Sequence, residues 1–281
     1  MKLVRYGDKG AERPGLIDAT GNLRDLSAHV SDINGANIGP DSLKRLAALD
    51  PATLPAVTGS PRLGPCVARM GKIIGVGLNY RDHAKETGAA VPSEPMIFNK
   101  ATSGLNGPYD DIILPRTSVK LDWEVELAVI IGTRAQYVSV DDAMNYIAGY
   151  AVMNDVSERA FQKERGGQFT KGKSADTFAP LGPWLVTRDE VPDPQALRLW
   201  TDVDGVRMQD GTTADMVFTI AHIVSELSQF MTFEPGDVIT TGTPSGVAAG
   251  RTPPNFLRAG QVIEMGITGL WSQRARIAPP L

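Results

Sequence analysis

Between Lys120 and Ile131 the chain alternates with a period of two. Leu121, Trp123, Val125, Leu127 and Val129 fill the odd positions. The even positions begin with Asp122, Glu124 and Glu126 and turn apolar at Ala128 and Ile130. Successive side chains of a strand leave opposite faces. The pattern therefore predicts a mostly buried strand over 120–131, with Glu124 and Glu126 on one face. Two carboxylates side by side in a buried sheet repel and are poorly solvated. A divalent cation between them relieves both problems. An exposed strand edge with alternate acids is the plainer alternative, and Asp122 on the same face makes the pair less distinctive.

The other periodic segments are also short and mostly strand-like. Lys2–Tyr6 and Gly15–Asp18 read as a strand pair, with Gly21-Asn22 turning after the second. Lys72–Val76, Pro95–Phe98, Asp111–Leu114, Gly149–Met153, Val238–Thr241, Gln261–Ile267 and Ala275–Ile277 read as further strands. Leu197–Val203 and Val206–Met208 flank Asp204-Gly205 as a hairpin. Helices are few. One is expected at 42–49 with Asp41 as cap, and one near Asp82–Thr87. Another should open at Ser139 and run to Ile147. The longest, at 213–230, rests on Met216, Ile220, Ile223 or Val224, and Leu227. Many strands with few helices between them predict a mainly β chain with helices (α+β), not a doubly wound sheet. Five residues, Pro51, Pro55, Gly59, Pro61 and Pro65, crowd one stretch and read as a connector. The expected division is a small N-terminal domain with linker over 1–69 and a catalytic domain over 70–281.

With 281 residues and an apolar fraction of 42%, a sizeable core can form. The formal charge of −4 gives no long-range attraction for phosphate backbones, so no nucleic-acid partner is expected. Cys66 is the single cysteine. Met1–Tyr6 has no apolar signal core, and no run approaches the length needed to span a bilayer. The expectation is a cytoplasmic chain without a membrane partner.

Candidate chemistry clusters around the two glutamates. Asp155 ends the next central strand and is a natural third ligand. No group of His or Cys competes for the ion, and carboxylate oxygens suit Mg²⁺ or Mn²⁺. Arg159 and Gln162 share one face of a helical turn and could hold a carboxylate or keto oxygen. Lys173 could bind an anion or stabilise an enolate. His83 stands three residues before Glu86, a spacing that lets the acid orient a general base; a solvated helix face is the simpler alternative. Thr241–Gly246 follows a strand and could present a hydroxyl and N–H groups to an oxyanion. Gly167, Gly172, Lys173 and Ser174 match P-loop spacing, but no apolar strand leads in and Pro180 leaves little room for the helix.

These residues fall into a known order. Gly75-Val-Gly-Leu-Asn-Tyr-Arg-Asp-His83, Pro95-Met-Ile-Phe98 with Lys100, Asp122-Trp-Glu-Val-Glu126, Asn154-Asp155 with Ser157, Arg159 and Gln162, Gly172-Lys173-Ser174 and Thr241-Gly-Thr-Pro-Ser-Gly246 succeed one another. From Gly71 to the C-terminus the chain resembles the fumarylacetoacetate hydrolase family. The resemblance implies a mixed β-sandwich roll, usually in a homodimer, with Mg²⁺ or Mn²⁺ on Glu124, Glu126 and Asp155. It implies a catalytic His83–Glu86 pair with Lys173, on a segment that orders over substrate, and a substrate pocket of Arg159, Gln162, Thr243 and Lys100.

The activity so implied is hydrolysis of the C3–C4 bond of a 2,4-diketo acid. The full pattern resembles the family's bacterial sugar-acid branch. For that branch the substrate would be 2,4-diketo-3-deoxy-L-rhamnonate and the products pyruvate and L-lactate. A related decarboxylase, isomerase or ureidoglycolate lyase would use the same site. The family's fumarylacetoacetases carry one more aspartate near the metal. Asn79 and Tyr80 stand in that region here, which argues against fumarylacetoacetate itself. Gln209 and residues near it are a further expectation for reading the distal end of the substrate.

Overall fold

The computed structural model describes residues 1–281. Two sheets carry most of the chain, and the acidic strand lies in the middle of the larger one. Its nine strands run in the order Leu23–Asp25, Arg13–Ile17, Lys2–Tyr6, Leu185–Thr187, Ile147–Asn154, Val125–Ile131, Val238–Thr240, Ile73–Gly77 and Met96–Lys100. All neighbours are antiparallel except Val238–Thr240 with Ile73–Gly77. The second sheet orders Val206–Thr212, Arg198–Val203, Val262–Ile267, Trp271–Ala278 and Ile112–Ile113. Helices are short, and the longest is Ile220–Phe230. The mixed, mainly β class expected from the segment pattern is what the chain adopts.

The two faces of the central strand explain its composition. Leu127 and Val129 join a cluster with Leu199, Ile263, Met265 and Ile267 of the smaller sheet. Ala128 and Ile130, on the other face, pack with Leu3, Leu26, Ile33 and Val67. The even positions thus turn apolar where the N-terminal residues cover them. Lys2–Tyr6 pairs directly with Leu185–Thr187, so the sheet runs without interruption across the expected division at residue 69.

The single strand expected over 120–131 is broken at Trp123 and Glu124. Leu121–Asp122 pairs with Ser157–Glu158, and only Val125–Ile131 joins the large sheet. Asp122 causes the break. One of its oxygens accepts the N–H groups of Trp123 at 2.8 Å and Ala248 at 2.7 Å, turning the chain out of the ladder. The helix expected over 213–230 begins only at Ile220. Asn79 takes the Phe218 N–H at 2.8 Å, and the Thr219 hydroxyl caps the first turn. The helix expected from Ser139 is a single 3₁₀ turn, Ala143–Tyr146, although Ser139 does accept the Asp142 N–H. The first helix spans Pro40–Ala47, with Gly39 rather than Asp41 at its cap and Pro40 in its first turn.

Candidate metal centre

The strand break leaves Glu124 outside the ladder that holds Glu126. Glu124 offers its carbonyl to the Asp155 N–H at 2.9 Å, and its own N–H meets Asn154 Oδ1 at 3.3 Å. Asp155 follows the end of the partner strand, where Asn154 stands opposite Val125. One carboxylate oxygen from each of Glu124, Glu126 and Asp155 lies within 4.8 Å of the others, and all three residues are buried.

Cations surround these acids. Lys173 Nζ donates to Glu124 Oε2 at 2.6 Å and to Asp155 Oδ2 at 2.5 Å. Arg159 Nη2 donates to Glu124 Oε1 at 2.5 Å, its Nε to Asp122 at 2.8 Å and its Nη1 to Gln162 at 3.1 Å. Gly172, just before Lys173, packs against Gln162 because it has no side chain. A Cβ there would stand 2.5 Å from Gln162 Cβ and 2.7 Å from Glu158 O. Glu158 supports the same turn by accepting the Ala160 N–H at 3.0 Å.

The residues fit a divalent ion. With all four ionised, the buried carboxylates of Asp122, Glu124, Glu126 and Asp155 outnumber the buried cations Lys100, Arg159 and Lys173 by one. Burial, together with repulsion from Asp155 and Glu124, pushes the Glu126 carboxyl well above the usual glutamate range. Burial opposes ionisation of Glu124 as well, but Lys173 and Arg159 beside it hold its carboxyl well below that range. For Lys173 burial works against the charged form, yet Asp155 and Glu124 outweigh it and raise the ammonium's pKa. A dication beside them would offset that excess. Glu126 is held by the Thr240 hydroxyl and by the Gly242 N–H at 2.8 Å. Gly242 reaches it at φ +93, a conformation natural to glycine.

Beside the acids lies a cavity of about 190 Å³. His83, Arg159, Gln162, Lys173 and Thr243 line it with Glu124 and Glu126, while Val76, Leu78, Met96, Phe98, Phe169 and Val247 form an apolar wall. His83 and Glu86 sit on the helix Arg81–Glu86, with His83 Nδ1 at 3.2 Å from Glu86 Oε2. Glu86 Oε1 accepts the Gly246 N–H at 2.8 Å, and Asp82 accepts the Ser245 hydroxyl at 2.8 Å. This helix is therefore tied to the 241–246 turn.

Two expectations change, those for Lys100 and Gln209. Lys100 does not line the cavity. It is 1% exposed, and its ammonium is spent on Asp155 Oδ1 at 2.5 Å, Lys173 O at 2.6 Å and Val156 O at 3.2 Å. Its place is behind Asp155, outside the cavity lining. Gln209 is likewise buried at 1% and makes only internal hydrogen bonds. Thr243 does line the cavity, but its hydroxyl donates to Val125 O at 2.9 Å and accepts from Gln209 at 2.8 Å. Asn79 is bonded to Thr241 O at 2.8 Å and to Phe218, so it adds no carboxylate to the triad. The sequence did not single out Asp122 as the clamp on Arg159; only its place on the acidic face pointed there.

The model for the fumarylacetoacetate (FAA) hydrolase C-terminal region matches residues 72–278. The chain belongs to the fumarylacetoacetate hydrolase family. A relative from Burkholderia ambifaria, whose name specifies no substrate, is 60% identical over 274 residues, 97% of each chain. The fumarylacetoacetate hydrolase of Exiguobacterium antarcticum superposes with a TM-score of 0.87 at 36% identity, covering 99% of both chains. Maleylpyruvate hydrolase of Sphingobium sp. SYK-6, solved with manganese(II) and pyruvate, gives 0.82 at 28% identity over all of both chains. The 2-hydroxyhepta-2,4-diene-1,7-dioate isomerase of Mycobacterium marinum gives 0.76 at 29%, covering 99% of this chain and 98% of its own. Family members of this shape are thus named both as hydrolases and as isomerases. No helix of the chain is long and apolar enough to cross a membrane.

Proposed function

We propose that the protein is a Mg²⁺- or Mn²⁺-dependent hydrolase that cleaves the C3–C4 bond of a 2,4-diketo acid. The supporting observation is one cavity lined by Glu124, Glu126, Lys173, Arg159, Gln162 and His83, with Asp155 grouped behind the two glutamates and Glu86 bonded to His83. The specific substrate of this reading is 2,4-diketo-3-deoxy-L-rhamnonate. Its methyl end suits the wall of Met96, Phe98, Phe169 and Val247. The same reading places the enzyme in the cytoplasm as a homodimer.

Glu124, Glu126 and Asp155 would hold the ion, which when bound supplies Lewis-acid polarisation of the 2-keto oxygen. Arg159 and Gln162 orient the substrate carboxylate and keep it beside the triad. Glu86 accepts the Nδ1 proton of His83, so Nε2 carries the lone pair that faces the cavity. That nitrogen removes a proton from water as the oxygen adds to C4. The C3–C4 bond breaks and its electron pair stays on C3 as the pyruvate enolate. Lys173, held protonated by its two carboxylate neighbours, offsets that charge. Protonation at C3 completes pyruvate, and C4 leaves in a carboxylic acid, L-lactate for the rhamnonate-derived substrate.

A second reading is isomerase or decarboxylase chemistry. The enolate-stabilising group needs no attacking water, and a family neighbour carries an isomerase name. Incubating the Mn²⁺-loaded protein with a panel of 2,4-diketo acids, with products identified by mass, separates the two. Equal amounts of pyruvate and a second acid support hydrolysis. A product of unchanged mass, or carbon dioxide, overturns it.

A further inference from the structure

We propose that Gln209 is a positioning residue that fixes the separation of Glu124 and Glu126 and so sets the affinity for the ion; this rests on the metal-binding reading above. Gln209 lies on the strand Val206–Thr212, outside the cavity, and its amide is completely used. Oε1 accepts the Val125 N–H at 3.1 Å and the Thr201 hydroxyl at 2.9 Å. Nε2 donates to Thr243 Oγ1 at 2.8 Å and to Pro244 O at 2.8 Å.

Val125 is the residue between the two glutamates, and it lies where the backbone ladder runs out. Toward Val238–Thr240 the last backbone bond is Thr241 N–H to Leu127 O at 3.1 Å. Beyond it two side chains continue the pattern. Thr243 Oγ1 donates to Val125 O at 2.9 Å, and Gln209 Oε1 takes the Val125 N–H. Because Nε2 occupies the Thr243 oxygen, the hydroxyl proton is directed to Val125 O. One buried amide thereby holds both polar backbone groups of Val125, one directly and one through Thr243.

It also fixes the turn whose Gly242 N–H holds Glu126. A buried amide with all four positions satisfied has one orientation, and a shift of the Val125 backbone would displace the carboxylates that flank it. Side chains that orient ligands from behind typically change metal affinity about 10- to 100-fold when removed.

The test compares wild type, Gln209→Met and Thr201→Val, each stripped with chelator and titrated with Mn²⁺ by calorimetry. Methionine keeps the length and removes every bond. Thr201→Val removes one bond to the same amide but none to the site. The dissociation constant should rise about 10- to 100-fold for Gln209→Met and stay within about threefold for Thr201→Val. A purely structural amide would move both alike, and equal affinity in all three proteins overturns the role of Gln209 alone. No Mn²⁺ uptake by wild type overturns the metal reading as well. If Gln209→Met does not fold, Gln209→Glu replaces it. That variant keeps the acceptor for Val125 and loses the donors, so it should bind more weakly than Thr201→Val; affinity equal to Thr201→Val overturns the proposal.

Discussion

The Lys173 ammonium stands 2.6 Å from Glu124 Oε2 and bridges it to Asp155 Oδ2 at 2.5 Å. A cation already held by two carboxylates is pre-oriented for charge that develops on a neighbouring enolate. Lys173→Met should lower kcat for 2,4-diketo acid cleavage by about 10²- to 10³-fold. Affinity for Mn²⁺ should not fall, because Glu124 and Asp155 lose a competitor. Steady-state kinetics and calorimetry on the same preparation check both halves.

The His83–Glu86 pair serves only the step that needs water. His83→Ala should reduce hydrolysis by about 10²- to 10⁴-fold. Exchange of the C3 protons of pyruvate with deuterated solvent, in which buffer base takes the proton while the enolate-stabilising group holds the charge, should persist in the variant. Proton NMR reads the exchange, and a parallel loss of both activities would contradict the division of labour.

Lys100 should behave as a support for Asp155 rather than as a substrate contact. Lys100→Met removes one of the two ammonium partners of a fully buried carboxylate, Lys173 remaining, and should destabilise the metal-free protein by about 1.5–3 kcal/mol. Chemical denaturation measures this. Mn²⁺ should recover part of the loss, since it restores a positive partner near Asp155.

Away from the site, Glu12 links Arg5 and Arg62 at 3.3 and 2.9 Å. Burial alone would raise its pKa, but the two guanidinium groups prevail and lower it below the ordinary 4.5. A depressed carboxyl contributes stability above its unfolded pKa and loses it as pH falls through the folded value. Glu12→Gln should therefore destabilise by about 2 kcal/mol at pH 7. The gap to wild type should close as pH falls from about 5 toward 2, as followed by thermal melts.

The parts of the site that were legible in the sequence are those with local spacing. Glu124 and Glu126 are two apart, His83 and Glu86 three, and Arg159 and Gln162 three; each pair does meet or share the cavity. What was illegible depends on long-range partners. Lys100 finds Asp155 across 55 positions and Gln209 finds Val125 across 84, so neither could be told from a substrate contact. The helix at 220–230 shows the same limit. Met216 fits the helical period, yet Tyr80 pairs with it in a bridge and Asn79 occupies the next N–H groups. The strand break at Trp123 was hidden because Asp122 fits the alternation while its hydrogen bonds oppose it.

The central claim is that Glu124, Glu126 and Asp155 together hold the ion on which cleavage depends. The most direct measurement is Mn²⁺ titration of chelator-stripped wild type, Glu126→Gln and Asp155→Asn, with pyruvate release followed at each point. The expected result is one ion per chain for wild type, activity that rises with occupancy, and loss of both in the two variants. Full turnover in excess chelator, or unchanged Mn²⁺ binding in both variants, would contradict it.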